Sequence, residues 1–390
     1  MASVTGAESF SLTNRGPLDR ALARVGLKST EPPRLLLRAF VPALVVWIPL
    51  LILALVKPAS EDGVAISFFE DLATHVRFLI VVPLLVMIEA GIGRRTRQVA
   101  AHFVEANLVK RADRPRFDDV LRKTGRAFDS ALAETIIAAL AVGFVWSAAQ
   151  RFRADGLQFW FEEATAEGMR LSAAGWWYVL GSMLPAFLLL RWIWRYLVWC
   201  WLLQRLSRLD LQVVATHPDK AAGLGFVTFG HTAFAQLAFT VSCLVAGAIG
   251  TRVLHEGASL TTYQWPLAVF AGLSILFGLA PLAVFWRTLR AAKEVGYLAY
   301  GSLASRYVQD FHRRWIGTKA GEKPLDASGD VQGLADFGGS LEQVYSMTYV
   351  PISLRSAIAF AAAALVPMLP LLLLVMPLRE LVKLLMQALI

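Results

Sequence analysis

The sequence predicts an all-α fold, a polytopic membrane bundle of about seven transmembrane helices with amphipathic helices on the cytoplasmic side. Of 390 residues, 56% are hydrophobic and only 17% are charged, against about 45–50% and about 25% in soluble domains. The apolar residues form blocks of roughly 16–25, about the length that crosses a bilayer as a helix. Because these blocks run apolar instead of alternating, they argue against a β-barrel. A soluble enzyme, a disordered chain and a small secreted scaffold are excluded.

The alternation of polar and apolar segments divides the chain into four regions. A basic arm (1–38) precedes a membrane domain (39–286), which holds six spans and a basic amphipathic stretch at 94–130. Residues 287–354 form a cytoplasmic region of helices and linker, and 355–390 form the last span and an amphipathic tail. The spans are predicted at about 39–56, 78–93, 131–149, 173–190, 223–249, 265–286 and 357–376.

Prolines mark two places where helices are expected to change course. Pro115 is predicted to divide the 94–130 stretch into two surface helices, since proline breaks a helix interior. In the last span, Pro367, Pro370 and Pro377 leave two topologies open. The segment either crosses, which puts the tail outside, or forms a re-entrant hairpin that returns the tail to the cytoplasm.

The distribution of Lys and Arg predicts the orientation. With the N-terminus in the cytoplasm, the cytoplasmic segments carry 27 of these residues and the outer segments carry 8. Cytoplasmic loops retain positive charge, which supports this orientation. The formal net charge of +9 therefore reports orientation and contact with anionic lipid headgroups, not a nucleic-acid partner.

Six polar residues in or near the predicted spans are candidates for a transport or binding site. An ionisable residue within a membrane is costly and is a functional hypothesis by default. If the six converge, the arginines would bind an anionic group and the histidine would supply proton coupling or gating. The alternatives are glutamate–arginine ion pairs, arginines that snorkel to the interface, and a neutral histidine hydrogen-bonded between helices. The six are His231, Gln236, Arg191, Arg195, Glu89 and Glu134.

A second group of candidates lies on a predicted interfacial helix before the second span. Asp71 and His75 are four residues apart, and Arg77 follows them. A carboxylate beside an imidazole can orient it for acid–base chemistry or metal binding. The alternative is a solvated helix face.

A third group precedes the fifth span in the motif His217-Pro218-Asp219-Lys220. Asp219 is placed to cap the amides of the helix that follows. The Gly-Leu-Gly sequence at 223–225 is a weak phosphate-binding signal, so a phosphate site is the alternative to a cap.

The sequence predicts no metal site, no cofactor and no enzymatic activity. Cys200 and Cys243 lie in apolar runs, without a CxxC or Cys/His cluster. P-loop, GxSxG, HExxH and kinase patterns are absent from the sequence.

Three stretches resemble an uncharacterised family of bacterial multi-pass inner-membrane proteins. They are FFEDLATHVRFLIVVPLLVMIEAGIG (68–93), LDLQVVATHPDKAAGLGFV (209–227), and DVQGLADFGGSLEQVYSMTYVPISLRS through MLPLLLLVMPLREL (330–381). The resemblance implies a location in the bacterial inner membrane and implies no activity.

Three functions remain open from the sequence. The leading hypothesis is a transporter or channel for a small solute or ion. The first alternative is a non-catalytic membrane sensor or interaction protein, suggested by the basic surface helices and the region 287–354. The second is a membrane enzyme acting on a lipid-linked substrate, which needs carboxylates and histidines grouped at one interface. The expected partners are a bilayer with anionic headgroups and a small solute or ion, and a homo-oligomer is compatible with the chain.

Overall fold

The computed structural model describes residues 32–56, 65–152, 158–165, 168–256, 259–316 and 329–374. Within them, seven helical segments are long and apolar enough to cross a membrane. The chain is therefore an all-α, multi-pass membrane protein, and the predicted fold class is confirmed. The predicted tail lies outside the described residues.

The helices are numbered α1 to α10 along the chain. They are α1 Pro32–Val56, α2 Leu72–Glu105, α3 Arg114–Phe128, α4 Ala131–Phe152, α5 Ala173–Leu206, α6 Gly225–His231 continued by Ala235–Glu256, α7 Gln264–Leu279, α8 Trp286–Trp315, α9 Gly329–Ser346, and α10 Leu354–Leu365 continued to Leu372. Four short strands lie between helices: β1 Ala65–Ile66 pairs in parallel with β2 Gln158–Phe159, and β3 Glu162–Thr165 pairs with β4 Gly168–Leu171 as a hairpin.

The contacts between helices define two ends of the bundle. The basic end is where α2 and α5 end and where α1, α6 and α10 begin. The opposite end is where α2 and α5 begin. Val99 of α2 packs at Gly230 near the start of α6, and Leu72 packs at Gly250 near its end, so these two helices are antiparallel.

Small residues bring neighbouring helices together. A Cβ atom at Gly181 of α5 would lie 2.2 Å from Val46 Cγ1 of α1. A Cβ atom at Gly230 of α6 would lie 2.1 Å from Val99 Cγ2 of α2. Glycine is required at both positions, as expected where membrane helices pack at close range.

The last helix crosses the bundle and does not turn back within the described residues. Three contacts along α6 show the direction of α10. Thr228 donates to the carbonyl of Pro351, just before α10, and Ser242 donates to the carbonyl of Ala364 within α10. Gly250 packs against Leu371 near the end of α10, so α10 runs parallel to α6 from one end of the bundle to the other. The re-entrant alternative is therefore wrong up to Leu372, and Pro367 produces only a short 3₁₀ turn.

The predicted division of the 94–130 stretch into two helices is present, but it lies at 106–113, before Pro115, and the first helix is not a separate surface helix. The helix that contains the second span continues through the basic residues to Glu105 and ends where Asn107 takes a φ of 53°. Pro115 lies in the first turn of α3, where the missing N–H group removes no helical hydrogen bond. The first third of the predicted surface stretch, 94–105, therefore extends a membrane helix instead of lying flat.

Candidate functional site

Four of the six predicted transport residues meet in a buried ion cluster, together with Arg38. Glu89 accepts hydrogen bonds from Arg38 at 2.6 Å and from Arg195 at 2.5 Å, and Arg191 lies 3.5 Å from the same carboxylate. Arg191 also donates to Glu134 at 3.2 Å. The ion cluster (Arg38, Glu89, Glu134, Arg191 and Arg195) thus joins α1, α2, α4 and α5.

The ion cluster lies at one depth in the bundle. Arg38, Glu89 and Arg191 each lie 17 or 18 residues from the terminus of their own helix at the opposite end of the bundle. At the helical rise this separation is about 26–27 Å. The hydrocarbon core of a bilayer is about 30 Å thick. The charges therefore lie near the basic-end boundary of the apolar layer. Arg38, assigned to the N-terminal arm on sequence, belongs to the site, and counting back from the end of the first span would have indicated it.

The arginines of the ion cluster do not snorkel into solvent. Arg191 and Arg195 are 5% and 4% exposed, and Glu89 is 5% exposed. Removing such charges from water is costly unless they are paired, and here the carboxylates supply the pairing. Of the alternatives for these residues, glutamate–arginine ion pairs describe the geometry. The charged groups of the ion cluster are bound to one another.

His231 and Gln236 lie apart from the ion cluster. The indole N–H of Trp199 donates to His231 Nδ1 at 3.0 Å, which leaves the imidazole proton on Nε2 and the ring neutral. The ring of His231 faces Tyr196, Phe234 and Phe360. Gln236 is exposed and lies beside Gly91. The structure therefore does not join His231 to the carboxylates and arginines of the ion cluster in one route.

A cleft opens near the opposite end of the bundle, between α2, α4, α5 and α6. Its larger part is a cavity of about 420 Å³ with mostly apolar walls. It adjoins a second cavity of about 280 Å³, and the two share lining residues that include Arg77, Tyr178 and Ala248. The second cavity carries most of the polar side chains. We call the two together the amphipathic cleft.

Arg77 lies where the two parts of the amphipathic cleft meet. Its guanidinium donates to the hydroxyl of Tyr178 and, at 3.4 Å, to Ser182. Among the described residues, no carboxylate oxygen lies within 4 Å of Arg77, in contrast to the arginines of the ion cluster. A cation held by two neutral hydroxyls has capacity to bind an anion.

The backbone around Arg77 departs from regular helix. Residues Val76–Val81 of α2 form a π-helical segment, and both Arg77 and Val81 line the cleft. Such segments occur mostly as single turns within α-helices, often at functional sites. The irregularity and the cation therefore mark the same place. From the sequence, Arg77 is an interfacial candidate, but the sequence indicates neither the π-helical segment nor the cleft.

Asp71 and His75 do not form the predicted pair. Asp71 is 2% exposed, caps α2 by accepting from the N–H of Thr74 at 3.2 Å, and accepts from the indole of Trp160 at 3.2 Å. His75 Nδ1 accepts from the indole of Trp47 at 3.1 Å. The solvated-face alternative is wrong for Asp71, because the residues before the second span fold into the bundle. Among the described residues, no three His, Cys, Asp or Glu side chains come together as metal ligands.

The smaller cavity of the amphipathic cleft carries cationic and hydroxyl side chains. Arg252, His255 and Tyr263 line it, from the end of α6 and the turn before α7. His255 Nε2 lies 3.3 Å from the carbonyl of Glu70. The cleft therefore joins a larger, mostly apolar cavity to a smaller one that bears cationic and hydroxyl groups.

Asp219 caps the start of α6. Its carboxylate accepts from the N–H groups of Ala221, Gly223 and Gly225 at 2.8, 3.1 and 2.8 Å, and lies 2.8 Å from His217. Burial acts to raise the pKa of Asp219, but the backbone hydrogen bonds outweigh it and hold the pKa below its ordinary value. Because these amides already have an acceptor, the Gly-Leu-Gly sequence does not offer them to a phosphate.

We expect Asp219→Ala to destabilise the protein by about 1–2 kcal/mol, because three backbone donors lose their acceptor. A lowered folded-state pKa means that the carboxylate stabilises above its unfolded pKa of about 3.9 and loses this effect as the pH falls through the folded value. Thermal unfolding of the purified protein should therefore separate Asp219→Ala from wild type at pH 7. The difference should shrink in acid, and Asp219→Asn should be milder because one acceptor oxygen remains.

Comparison with known proteins returned no relatives. No protein-family model, no curated protein and no solved structure matches the chain. The class that the fold defines is a multi-pass helical membrane protein, and its function must be argued from its own geometry.

Proposed function

We propose that this is a bacterial inner-membrane protein with its basic end in the cytoplasm. The excess of Lys and Arg on the N-terminal side of the membrane supports this orientation. The amphipathic helix α3 agrees with it, because α3 packs on the last turns of α5 at the basic end, where Trp194 donates to the carbonyl of Ala127. The amphipathic cleft would then face the outer side.

We propose further that the protein binds an amphiphilic anion in the amphipathic cleft, as the solute-binding step of transport. The observation that carries this proposal is the position of Arg77 at the end of an apolar cavity. The cavity has the size of typical ligand pockets, which are about 300–1,000 Å³. Its apolar walls suit a hydrocarbon chain, and the guanidinium suits a carboxylate or phosphate headgroup.

The ion cluster is a weaker candidate for the solute site. Its arginines already contact Glu89 and Glu134, so an added anion would have to displace a buried carboxylate. The leading hypothesis of transport is therefore retained with a different set of residues. Arg77, Tyr178 and Ser182 replace Arg191, Arg195 and His231.

A binding role is favoured over catalysis on a lipid-linked substrate. The amphipathic cleft brings the carboxylates of Asp71 and Glu162 and the imidazole of His255 to one interface, as such an enzyme would need. However, Asp71 is engaged by Thr74 and Trp160, and Glu162 accepts from the backbone N–H of Phe159 at 3.1 Å. His255 Nε2 lies 3.3 Å from the carbonyl of Glu70. These contacts support a structural role for the three side chains.

The proposal is tested with the purified chain in nanodiscs of zwitterionic lipid, using dodecyl phosphate, dodecanol and dodecyltrimethylammonium as probes. Native mass spectrometry should detect dodecyl phosphate, while the neutral and cationic probes should bind at least about tenfold more weakly. Ala248→Trp should weaken binding because the indole fills the cleft shared by both cavities. The matched control is Ala139→Trp, on the exposed surface of α4.

Transport is distinguished from sensing by a flux measurement on the same variants. Liposomes that contain the wild-type protein should move the bound anion across the membrane, and Ala248→Trp liposomes should not. Binding without flux would favour the sensor or interaction protein. Equal binding of all three probes would contradict the proposed site.

A further inference from the structure

A second pocket lies at the basic end, away from the amphipathic cleft. It has a volume of about 400 Å³ and lies between α2 and the starts of α6 and α10. Three cationic side chains from separate segments line it: Arg95 of α2, Lys220 of the loop before α6, and Arg355 of α10. We call it the basic-end pocket.

The cations of the basic-end pocket are not neutralised within the part of the chain that the structure describes. No carboxylate oxygen lies within 4 Å of the charged groups of Arg95, Lys220 or Arg355 there, although such pairs are found elsewhere in the same residues. Asp219 lines the pocket, but its carboxylate is occupied by three backbone N–H groups and by His217. The lining therefore carries an excess of positive charge, three cations against the carboxylate of Asp219, which an anion would offset.

The side chain of Arg95 and the backbone of Lys220 are held by contacts with the rest of the bundle. The guanidinium of Arg95 donates to the carbonyl of Phe229 at 3.4 Å and lies 4.6 Å from the centre of its ring. Lys220 has a φ of 55°, a left-handed conformation that is uncommon for a residue with a side chain. The backbone N–H of Thr348 holds it there by donating to the carbonyl of Lys220 at 2.8 Å.

The strain at Lys220 is informative because a glycine or asparagine would adopt this backbone more easily. A lysine at a position that disfavours it, lining the same pocket as two arginines, is a combination that costs stability without an anion. Such a conformation persists where the surrounding structure enforces it, and it is typical of functional sites.

We infer that the basic-end pocket binds the phosphate ester group of an anionic ligand. Three convergent cations match a tetrahedral group with several negatively charged oxygens. Arg95 is six residues beyond Glu89, about 9 Å further toward the basic end than the ion cluster, which is the depth of lipid headgroups. The exposed Phe229 and Ile352 on its wall are compatible with an adjacent acyl chain. Phosphate chemistry of this kind comes from an acidic lipid headgroup or from a soluble phosphate compound.

The experiment measures both sources on the purified full-length chain. In the lipid arm, native mass spectrometry measures retention of phosphatidylglycerol against phosphatidylcholine in mixed nanodiscs. In the soluble arm, calorimetry measures binding of inorganic pyrophosphate in a neutral detergent. The site variants are Arg95→Gln, Lys220→Asn and Arg355→Gln, and the matched control is Arg97→Gln, an exposed arginine two residues further along α2.

At least one probe should bind to the wild-type chain, and each site variant should weaken that binding about tenfold or more, because each loses a charge-assisted contact. Arg97→Gln should stay within about twofold. Lys220→Asn should keep the melting temperature, because asparagine tolerates the left-handed backbone, so its loss of binding is not unfolding. Binding in the lipid arm alone identifies a headgroup site, and binding in the soluble arm identifies a phosphate compound. The inference is overturned if neither probe binds, or if Arg97→Gln weakens binding as much as the site variants do.

Discussion

Glu89→Gln is expected to lower the free energy of unfolding by about 3–5 kcal/mol. Glu89 is the carboxylate that Arg38, Arg191 and Arg195 all approach. Removing its charge leaves buried guanidinium groups without their principal counter-ion, and the cost of burying them is then no longer offset. Unfolding in sodium dodecyl sulfate, followed by circular dichroism, would measure this change on the purified protein.

The control for Glu89 is an ion pair on the protein surface. Asp119 of α3 pairs with Arg122 and, at 2.7 Å, with Lys123. Because exposed pairs contribute little, Asp119→Asn should leave the unfolding transition nearly unchanged. If both variants shifted the transition equally, the ion cluster would not be the element that joins α1, α2, α4 and α5.

A double variant separates lost pairing from lost packing. Glu89→Gln with Arg195→Gln removes an anion and a cation together, so fewer unpaired charges remain than after Glu89→Gln alone. We expect the double variant to be less destabilised than the sum of the single variants, which is the sign of direct coupling. Strict additivity would mean that the two side chains act independently, against the 2.5 Å contact between them.

Features set by local chemistry were predicted from the sequence. Seven apolar blocks predicted seven spans because each block alone satisfies the length and hydropathy that a bilayer requires. The cap at Asp219 was predicted because it depends on residues two to six positions away. The contacts of Glu89 and Glu134 with Arg191 and Arg195 were among the alternatives, because all four lie near one boundary of the membrane.

Features set by packing were missed or misplaced. His231 follows Gly230, which packs at Val99 of α2. Val99 is ten residues beyond Glu89 and about 15 Å further toward the basic end at the helical rise. His231 therefore contacts Trp199 and not the ion cluster, and hydropathy does not report this offset. Arg77 was assigned to an interfacial helix that leads into the second span, and its contacts with α5 were not foreseen. The π-helical segment and the cavity depend on four helices that are distant in sequence, so no local pattern contains them. Asp71 is buried for the same reason, since Trp160 covers it from 89 residues away.

Arg77→Gln is expected to weaken the binding of dodecyl phosphate by about 10- to 100-fold. This range corresponds to the loss of about 1.5–3 kcal/mol, the contribution of a hydrogen bond to a charged group. The glutamine keeps a donor for the hydroxyls of Tyr178 and Ser182 but loses the positive charge. Arg77→Lys keeps the charge without the planar fork and should bind with intermediate affinity. Native mass spectrometry in zwitterionic nanodiscs, with dodecyl phosphate as the probe, would give the order of affinities of the wild type, Arg77→Lys and Arg77→Gln.

The stability of the unliganded protein should respond in the opposite way from the ion cluster. Arg77 is partly buried and has no carboxylate within 4 Å among the described residues, so removing its charge relieves desolvation without leaving a charged partner behind. Arg77→Gln should therefore unfold at the same or a higher detergent fraction than wild type, while Glu89→Gln unfolds at a lower one. Loss of stability with unchanged affinity would instead make Arg77 a structural residue, and the solute would have to be sought elsewhere. A loss of affinity without a loss of stability is the pattern that a binding residue produces, because the interaction it supplies exists only when the anion is present.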